Sequence, residues 1–355
     1  MIACYDFHYC YLSSRTFPIF LQSKQTEGNI RRKNQSSMSE FLLLGLPIQP
    51  EQQAMFFTLF LGMYLIMVLG NLLIIPLIRV DSCLHTPMYF FLSHLAFTDV
   101  SFSSVTIPKM LINMHTWDQS IPYASCVTQI YFFSIFFGCI DNLLLAVMAY
   151  DRYMAICHPL HYTTIMKEKL CIFILAGSRF LSCTSALSHT ILLAQLSFCT
   201  DNTISHFFCD LAALLKLSCS DTSLNEVFIF PIGGLVITLS FIGALVSYGR
   251  IGATILRFPS IKGIYKALAT CGSHLSVVFL FCGTIMVLHF FPSSSNSNDK
   301  DIIASVMYIV VTPMLNPFIY SLRNRDTKGA MGQLLRKEIL FSKVTVPYSC
   351  SYVIH

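Results

Sequence analysis

The chain has 355 residues, of which 54% are hydrophobic and only 12% charged, with a formal net charge of +5. That charge content is half of the roughly 25% usual in soluble globular domains, and the mean hydropathy is +0.63, so an ordinary two-domain soluble protein is excluded and the bilayer is the expected solvent. Thirty Phe against one Trp, Trp117, suit lipid-facing and core-facing helices, and fourteen Cys in so long a chain are not a small-domain disulfide framework.

Residues 1–33 hold scattered aromatics, Cys4, Cys10 and the basic run Arg31, Arg32, Lys33. They lack the apolar centre and small-residue cleavage site of a signal peptide, so they read as a disordered extension or a consequence of start-site choice. Asn34-Gln35-Ser36 is a glycosylation acceptor, consistent with an extracellular N-terminal segment over 1–53. Helices crossing a hydrocarbon core need about 20 apolar residues each. Seven such runs follow, near 55–78, 87–111, 124–155, 170–192, 225–252, 264–291 and 301–322. Alternating strands of the barrel kind are absent, so the predicted fold is an all-α, seven-transmembrane bundle over 54–322. Residues 323–355 form a cytoplasmic tail that begins with a basic amphipathic helix to about 337, suited to lie on an anionic leaflet.

Lys and Arg set the orientation. Arg79, Lys167, Lys169, Arg250, Arg257, Lys262, Lys266 and the tail cations fall on one side, whereas the other side carries Asp118, Asp201, Asp210, Asp221, Asp299 and Asp301. The chain is therefore expected in the plasma membrane with its N-terminus outside and its C-terminus in the cytoplasm. Within the spans, Asn71, Asp99, Asp141 and Asn316 are polar residues deep in four helices; an intramembrane carboxylate is costly and normally faces the bundle interior. Asp151, Arg152 and Tyr153 end the third helix, where a guanidinium beside a carboxylate can be held in one state and released in another, or can simply snorkel to water. Pro317 removes a helix donor and bends the seventh helix. Cys126, Cys199, Cys209 and Cys219 lie on the oxidising side, and four cysteines permit three pairings; zinc held with His206 is the competing reading.

Five strings stand in fixed order on these helices: LHTPMYFFLSHLAFTD at 84–99, MAYDRYMAICHPL at 148–160, SYGRI at 247–251, KALATCGSHLSVV at 266–278 and PMLNPFIYSLRN at 313–324. Together they resemble the vertebrate odorant receptors, a branch of the rhodopsin-like G-protein-coupled receptors, over residues 38–338. The resemblance implies that Arg152 faces a heterotrimeric G protein in the active state, with Asp151, Tyr153, Tyr248, Asn316, Pro317 and Tyr320 in the moving part. It implies a water or sodium site at Asp99 and Asp141, linked to Asn71 and Asn316, where the alternative is a structural hydrogen-bond network. It also favours the disulfides Cys126–Cys209 and Cys199–Cys219.

Family geometry puts a ligand cavity between helices three, five, six and seven. Helical spacing then selects Gly138, Cys139 and Asn142, then Ile232 and Val236, then Cys282, Ile285, Met286 and His289, then Tyr308 and Ile309. Any one of these is alternatively an ordinary packing contact. The set is mainly apolar and has no cation for a carboxylate, so neutral odorants are expected over acids.

Two departures stand out. Arg179 occupies a position where the family usually has Trp, a charge worth about 2.5–3.5 kcal/mol of cost at a bilayer centre, so Arg179→Trp is expected to raise surface expression. Helix three is about one residue long between Cys126 and Arg152, a length that a bulge would absorb.

The expected function is a non-enzymatic odorant receptor acting through the stimulatory olfactory G protein and cyclic AMP. Its partners are a small, mostly apolar odorant, that G protein and the lipid bilayer, with no nucleic acid and no cofactor beyond a bound sodium ion. No phosphate-cradling loop, metalloprotease motif or nucleophile elbow is present. Helix seven, read as 301–322, has no Lys for a retinal Schiff base, and Tyr123 to Cys139 contains no carboxylate for an amine. A lipid or peptide receptor and a small-solute transporter are the alternatives; the repeats expected of the latter are not evident.

Overall fold

The computed structural model describes residues 39–198, 202–257, 261–290 and 299–319, together with Thr327 and Gly329. Asn34, Cys199, Tyr320 and most of the basic segment after Leu322 lie outside the described residues. The first, second and fourth spans are the unbroken helices Gln53–Val80, Pro87–Thr116 and Glu168–Leu193, and the sixth is Ile261–Phe290. The third runs Tyr123–Gln129, Ile130–Phe137 and Gly138–Cys157; the fifth runs Ser223–Val227, Phe228–Gly233 and Gly234–Ile255; the seventh runs Asp299–Val306, Met307–Val311 and Thr312–Pro317. All seven lie close to the expected ranges. Pro50–Val80, Pro87–Thr116, Glu168–Leu193 and Gly234–Ile255 are each long and apolar enough to cross a bilayer alone, and the sixth is apolar over His274–Phe290.

The middle piece of each of the third, fifth and seventh spans is π-helical. In the third, the wider turns take up the surplus length that the spacing from Cys126 to Arg152 anticipates. Solvent preference is inverted relative to a water-soluble protein. Leu69, Phe173 and Phe180 stand outward at 66%, 74% and 72% exposure, while Asn71, Asp99, Asp141 and Asn316 are buried. Hydrocarbon around the bundle produces that pattern, because polar groups find partners only inside.

The seventh span shows how such partners are supplied. Pro313 and Pro317 have no N–H, so neither donates to the carbonyl four residues before it, Ile309 and Pro313 respectively. Ser103 of the second span donates Oγ–H to the Ile309 carbonyl at 3.0 Å, and Asn71 of the first donates Nδ2–H to the Pro313 carbonyl at 3.0 Å. Gly70 lets the first span come close, since a Cβ there would sit 3.1 Å from the Pro317 ring.

At the end of the bundle bearing Cys126 the chain forms a small sheet of β1 (Glu40–Leu43), β2 (Ser120–Pro122) and β3 (Thr203–Ile204), in the order β2-β1-β3. Phe41 pairs with Ile121 in the antiparallel half, and Leu42 with Thr203 in the parallel half. Alternation buries Phe41 and Leu43, and the Phe41 ring meets Phe198 edge-on at 5.4 Å. Residues 40–43, expected only as part of an N-terminal segment, thus knit two loops together.

The Cys126–Cys209 disulfide, with Cα atoms 5.5 Å apart, ties the start of the third span to the same region. Cys219 is also disulfide-bonded, and the Cys199 expected to pair with it lies outside the described residues. Zinc held by Cys126 and Cys209 is therefore excluded. Among the described residues no cluster of three or more His, Cys, Asp or Glu side chains is placed to hold a metal. Losing a bridge that closes so long a loop typically removes about 2–4 kcal/mol. Cys126→Ser and Cys209→Ser should each lower surface expression well below Cys183→Ser or Cys271→Ser, whose thiols are free. Equal surface levels of all four variants, measured by flow cytometry on intact cells, would remove the bridge from the account.

Candidate functional site

A cavity of about 870 Å³ opens between the third to seventh spans, roofed by the loop between the fourth and fifth. Of the residues selected by helical spacing, Gly138, Cys139, Asn142, Val236, Ile285, His289 and Tyr308 line it. Cys282 lies just behind, donating Sγ–H to Asn142 Oδ1 at 3.6 Å. Ile309 is buried outside the lining, Met286 does not line it, and the Ile232 side chain lies outside the described residues. Gly234 matters for closure: a Cβ there would fall 2.8 Å from His289 Nε2, so glycine lets the imidazole press against the fifth span. Tyr308 is fixed between Phe102 and Phe281, at centroid distances of 4.9 and 5.2 Å.

The sequence reading missed two walls. The fourth span contributes Leu181, Thr184, Ser185, Ser188 and His189. The signal was present, because Thr184 with Ser188 and Ser185 with His189 are polar pairs at a spacing of four on a membrane helix, where polar side chains turn inward. The other wall is the loop, which brings Thr203, Ser205, His206, Phe208 and Asp210 over the opening. Spacing within helices holds no information on that placement.

The mouth is charged. Asp210 and Asp301 line it, and so does exposed Lys216, so the expectation of a lining without any cation is corrected. Two carboxylates against one ammonium still leave the mouth acidic. Asp210 also caps the short helix Leu211–Lys216, accepting from Ala213 N–H at 2.8 Å. His206 is buried there, its Nδ1 accepting from Phe207 N–H at 3.2 Å and its Nε2 lying 3.4 Å from Ser305 Oγ. Burial pushes this imidazole below its ordinary pKa, while Asp210 and Asp301 pull the other way.

Below the cavity lies the polar core. Asn316 donates Nδ2–H to Asp99 Oδ2 at 2.8 Å. Asp141 Oδ1 and Asn316 Oδ1 are buried without a hydrogen-bond partner among the described residues. Two carboxylates and an amide oxygen make this a hard, oxygen-only set of donor atoms.

At the opposite end, buried Asp151 accepts from Tyr162 Oη–H at 2.9 Å, a partner from the following loop that the motif did not reveal. Arg152 is half-buried beside it. Tyr153 pairs with His158 at 2.9 Å, and Tyr248 on the fifth span bonds to His274 Nδ1 on the sixth. Cys157 and Thr254, 3.2 Å apart, join the third and fifth spans at the same level. Asn316 and Pro317 sit between this end and the cavity; Tyr320, expected here, is outside the described residues.

Arg179 is not a stray charge. Its Nη2 lies 3.2 Å from His94 Nδ1 on the second span. Arginine only donates, so His94 accepts there and carries its proton on Nε2.

The chain matches the olfactory receptor family over residues 60–338. It is 71% identical over 314 residues to human olfactory receptor 1J4, covering 88% of this chain and all of that one. Identity is 68% to human olfactory receptor 1J2, over 87% of this chain and 99% of the relative. Mouse olfactory receptor 1J21 is 67% identical, over 87% and 98% respectively.

The contact between Arg179 and His94 yields a direct check, because residues that share a hydrogen bond have non-additive effects. His94→Leu takes an acceptor from a half-buried guanidinium and should lower surface expression. Arg179→Trp in the His94→Leu background should recover it, since an apolar ring then meets an apolar partner. Strictly additive surface levels across the two single variants and the double variant would show that the pair is not coupled.

Proposed function

The chain belongs to the olfactory receptor family, and from that premise we propose that it binds a small, neutral, mostly apolar odorant in the cavity and activates the stimulatory olfactory G protein, raising cyclic AMP. The observation that carries this reading is the cavity itself. Its volume of about 870 Å³ is of the size that takes a drug-sized or smaller ligand. Its walls on the fifth and sixth spans are mainly apolar, with Phe228, Ile229, Val236, Ile237, Ile285 and Leu288 around His289, so buried hydrocarbon supplies affinity and the sparse polar groups fix orientation. An acidic mouth disfavours carboxylate ligands.

Activation on this reading is a population shift: the ligand binds one arrangement of the helices more tightly than the other. Release of Asp151 from Tyr162, and of Tyr248 from His274, would free Arg152 and the end of the sixth span to meet the G protein. Asp99 and Asp141, with Asn316, would hold a sodium ion, whose charge offsets the two carboxylates. We assign the end bearing the disulfide and β1–β3 to the extracellular side of the plasma membrane, and the end bearing Asp151 to the cytoplasm, in keeping with the distribution of Lys and Arg.

Orientation is checked with an epitope tag after His355, which antibody should reach only in permeabilised cells. Labelling of intact cells would reverse the assignment. The cavity is checked by screening neutral odorants and matched acids with a cyclic-AMP reporter in transfected cells. Neutral compounds should be the active ones. Ile285→Ala should raise the half-maximal concentration at least severalfold, given about 1–3 kcal/mol for a lost apolar contact group, whereas Met286→Ala should not. If Ile285→Ala responds like the parent to every active odorant at equal surface level, the ligand binds elsewhere.

A further inference from the structure

We propose that Asn142 is the polar anchor of the cavity, selecting ligands by an oxygen that accepts a hydrogen bond. A ketone, aldehyde or ester would then lie with its carbonyl on the third and fourth spans and its hydrocarbon on the fifth and sixth. This rests on the odorant reading above and specifies its ligand class and pose.

The argument starts from the amide's two ends. Asn142 is buried at 2% exposure and lines the cavity. Its Oδ1 already accepts from Cys282 Sγ–H at 3.6 Å, whereas its Nδ2 has no partner among the described residues. The amide therefore presents unused donors, while one of the two lone pairs of its oxygen is already taken by the Cys282 thiol. A buried donor left unmade is unfavourable, and a ligand oxygen that satisfies it recovers the loss. A carbonyl brings acceptors alone. A hydroxyl brings a proton that needs an acceptor of its own, and at Asn142 Oδ1 it would share that oxygen with the Cys282 thiol.

A second observation lies on the same wall. His189 of the fourth span is buried at 7% exposure, lines the cavity, and its Nδ1 has no hydrogen-bond partner among the described residues. Unsatisfied polar capacity is thus gathered on the third and fourth spans. The facing wall is mainly hydrocarbon, with Ile229, Val236, Ile237, Ile285 and Leu288 beside the single imidazole of His289. That division polarises the cavity across its width and sets the direction of the ligand.

The test uses the full-length chain in transfected cells, with concentration–response curves for medium-chain ketones and the alcohols of the same skeletons, normalised to surface receptor. The parent should prefer the ketone by about tenfold, the equilibrium equivalent of one net hydrogen bond. Asn142→Leu should abolish that preference. Cys282→Ala, which keeps Asn142 and frees its Oδ1 to accept, should narrow the preference by raising the potency of the alcohols, and it serves where Asn142→Leu fails to reach the surface. Equal potency of ketone and alcohol at the parent, or a preference that survives Asn142→Leu, overturns the assignment while leaving an odorant receptor intact. Silence of the parent to every neutral and charged small molecule would instead remove the receptor reading on which this one stands.

Discussion

Everything in this bundle follows from the lack of water beside its helices. In hydrocarbon an unmade backbone hydrogen bond has no solvent to fall back on, so any break in a helix must be mended by a neighbouring helix. The seventh span has two such breaks, at Pro313 and Pro317, and the carbonyls they leave are met by Ser103 and Asn71. Asn316, between them in sequence, bonds to Asp99. The first and second spans therefore grip the seventh through side-chain donors rather than through apolar packing alone. Hydrogen bonds of this kind are directional, and their geometry confines the seventh span to a few arrangements.

The π-helical pieces obey the same constraint and explain where the cavity lies. Ile130–Phe137 leads directly into Gly138, Phe228–Gly233 supplies Phe228, Ile229 and Gly233, and Met307–Val311 contains Tyr308. Each of the three interrupted spans thus changes its winding where it borders the cavity. A π turn is a poor choice for plain packing and recurs at functional sites, because it turns side chains away from the helical register that would bury them against a neighbour. Tyr308 stays fixed despite this, since Phe102 and Phe281 hold its ring on both sides.

What was legible in the sequence depended on whether the information was local. Seven apolar runs and the five strings carry the spans and the family, because hydropathy and motif are properties of consecutive residues. The stripe Cys282, Ile285, Met286, His289 shows the limit: spacing puts all four on one broad face, yet only Ile285 and His289 border the cavity, a matter of a fraction of a turn. Two features had no local signal. Pairing of residues 40–43 with Ser120–Pro122 and Thr203–Ile204 spans more than 70 positions. The partner of Arg179, His94, lies 85 positions away. Arg179 looked like a charge without a partner because the acceptor it meets is on another helix.

The sixth span joins the two ends of this arrangement. His274 bonds to Tyr248 beside Arg152, the Phe281 ring packs tilted against Tyr308, Cys282 bonds to Asn142, and Ile285 and His289 face the cavity. Successive members are three, four or seven residues apart or adjacent, so they occupy one side of a single helix. A helix contacted along one face at both ends transmits displacement as a rigid body, and a small shift at one end is carried to the other instead of being absorbed between them. The bond between Cys282 and Asn142 lies at the inner edge of the cavity on that face. On the proposed reading, a ligand held by the Asn142 amide would act on the sixth span through Cys282, and along that span on the contact between His274 and Tyr248.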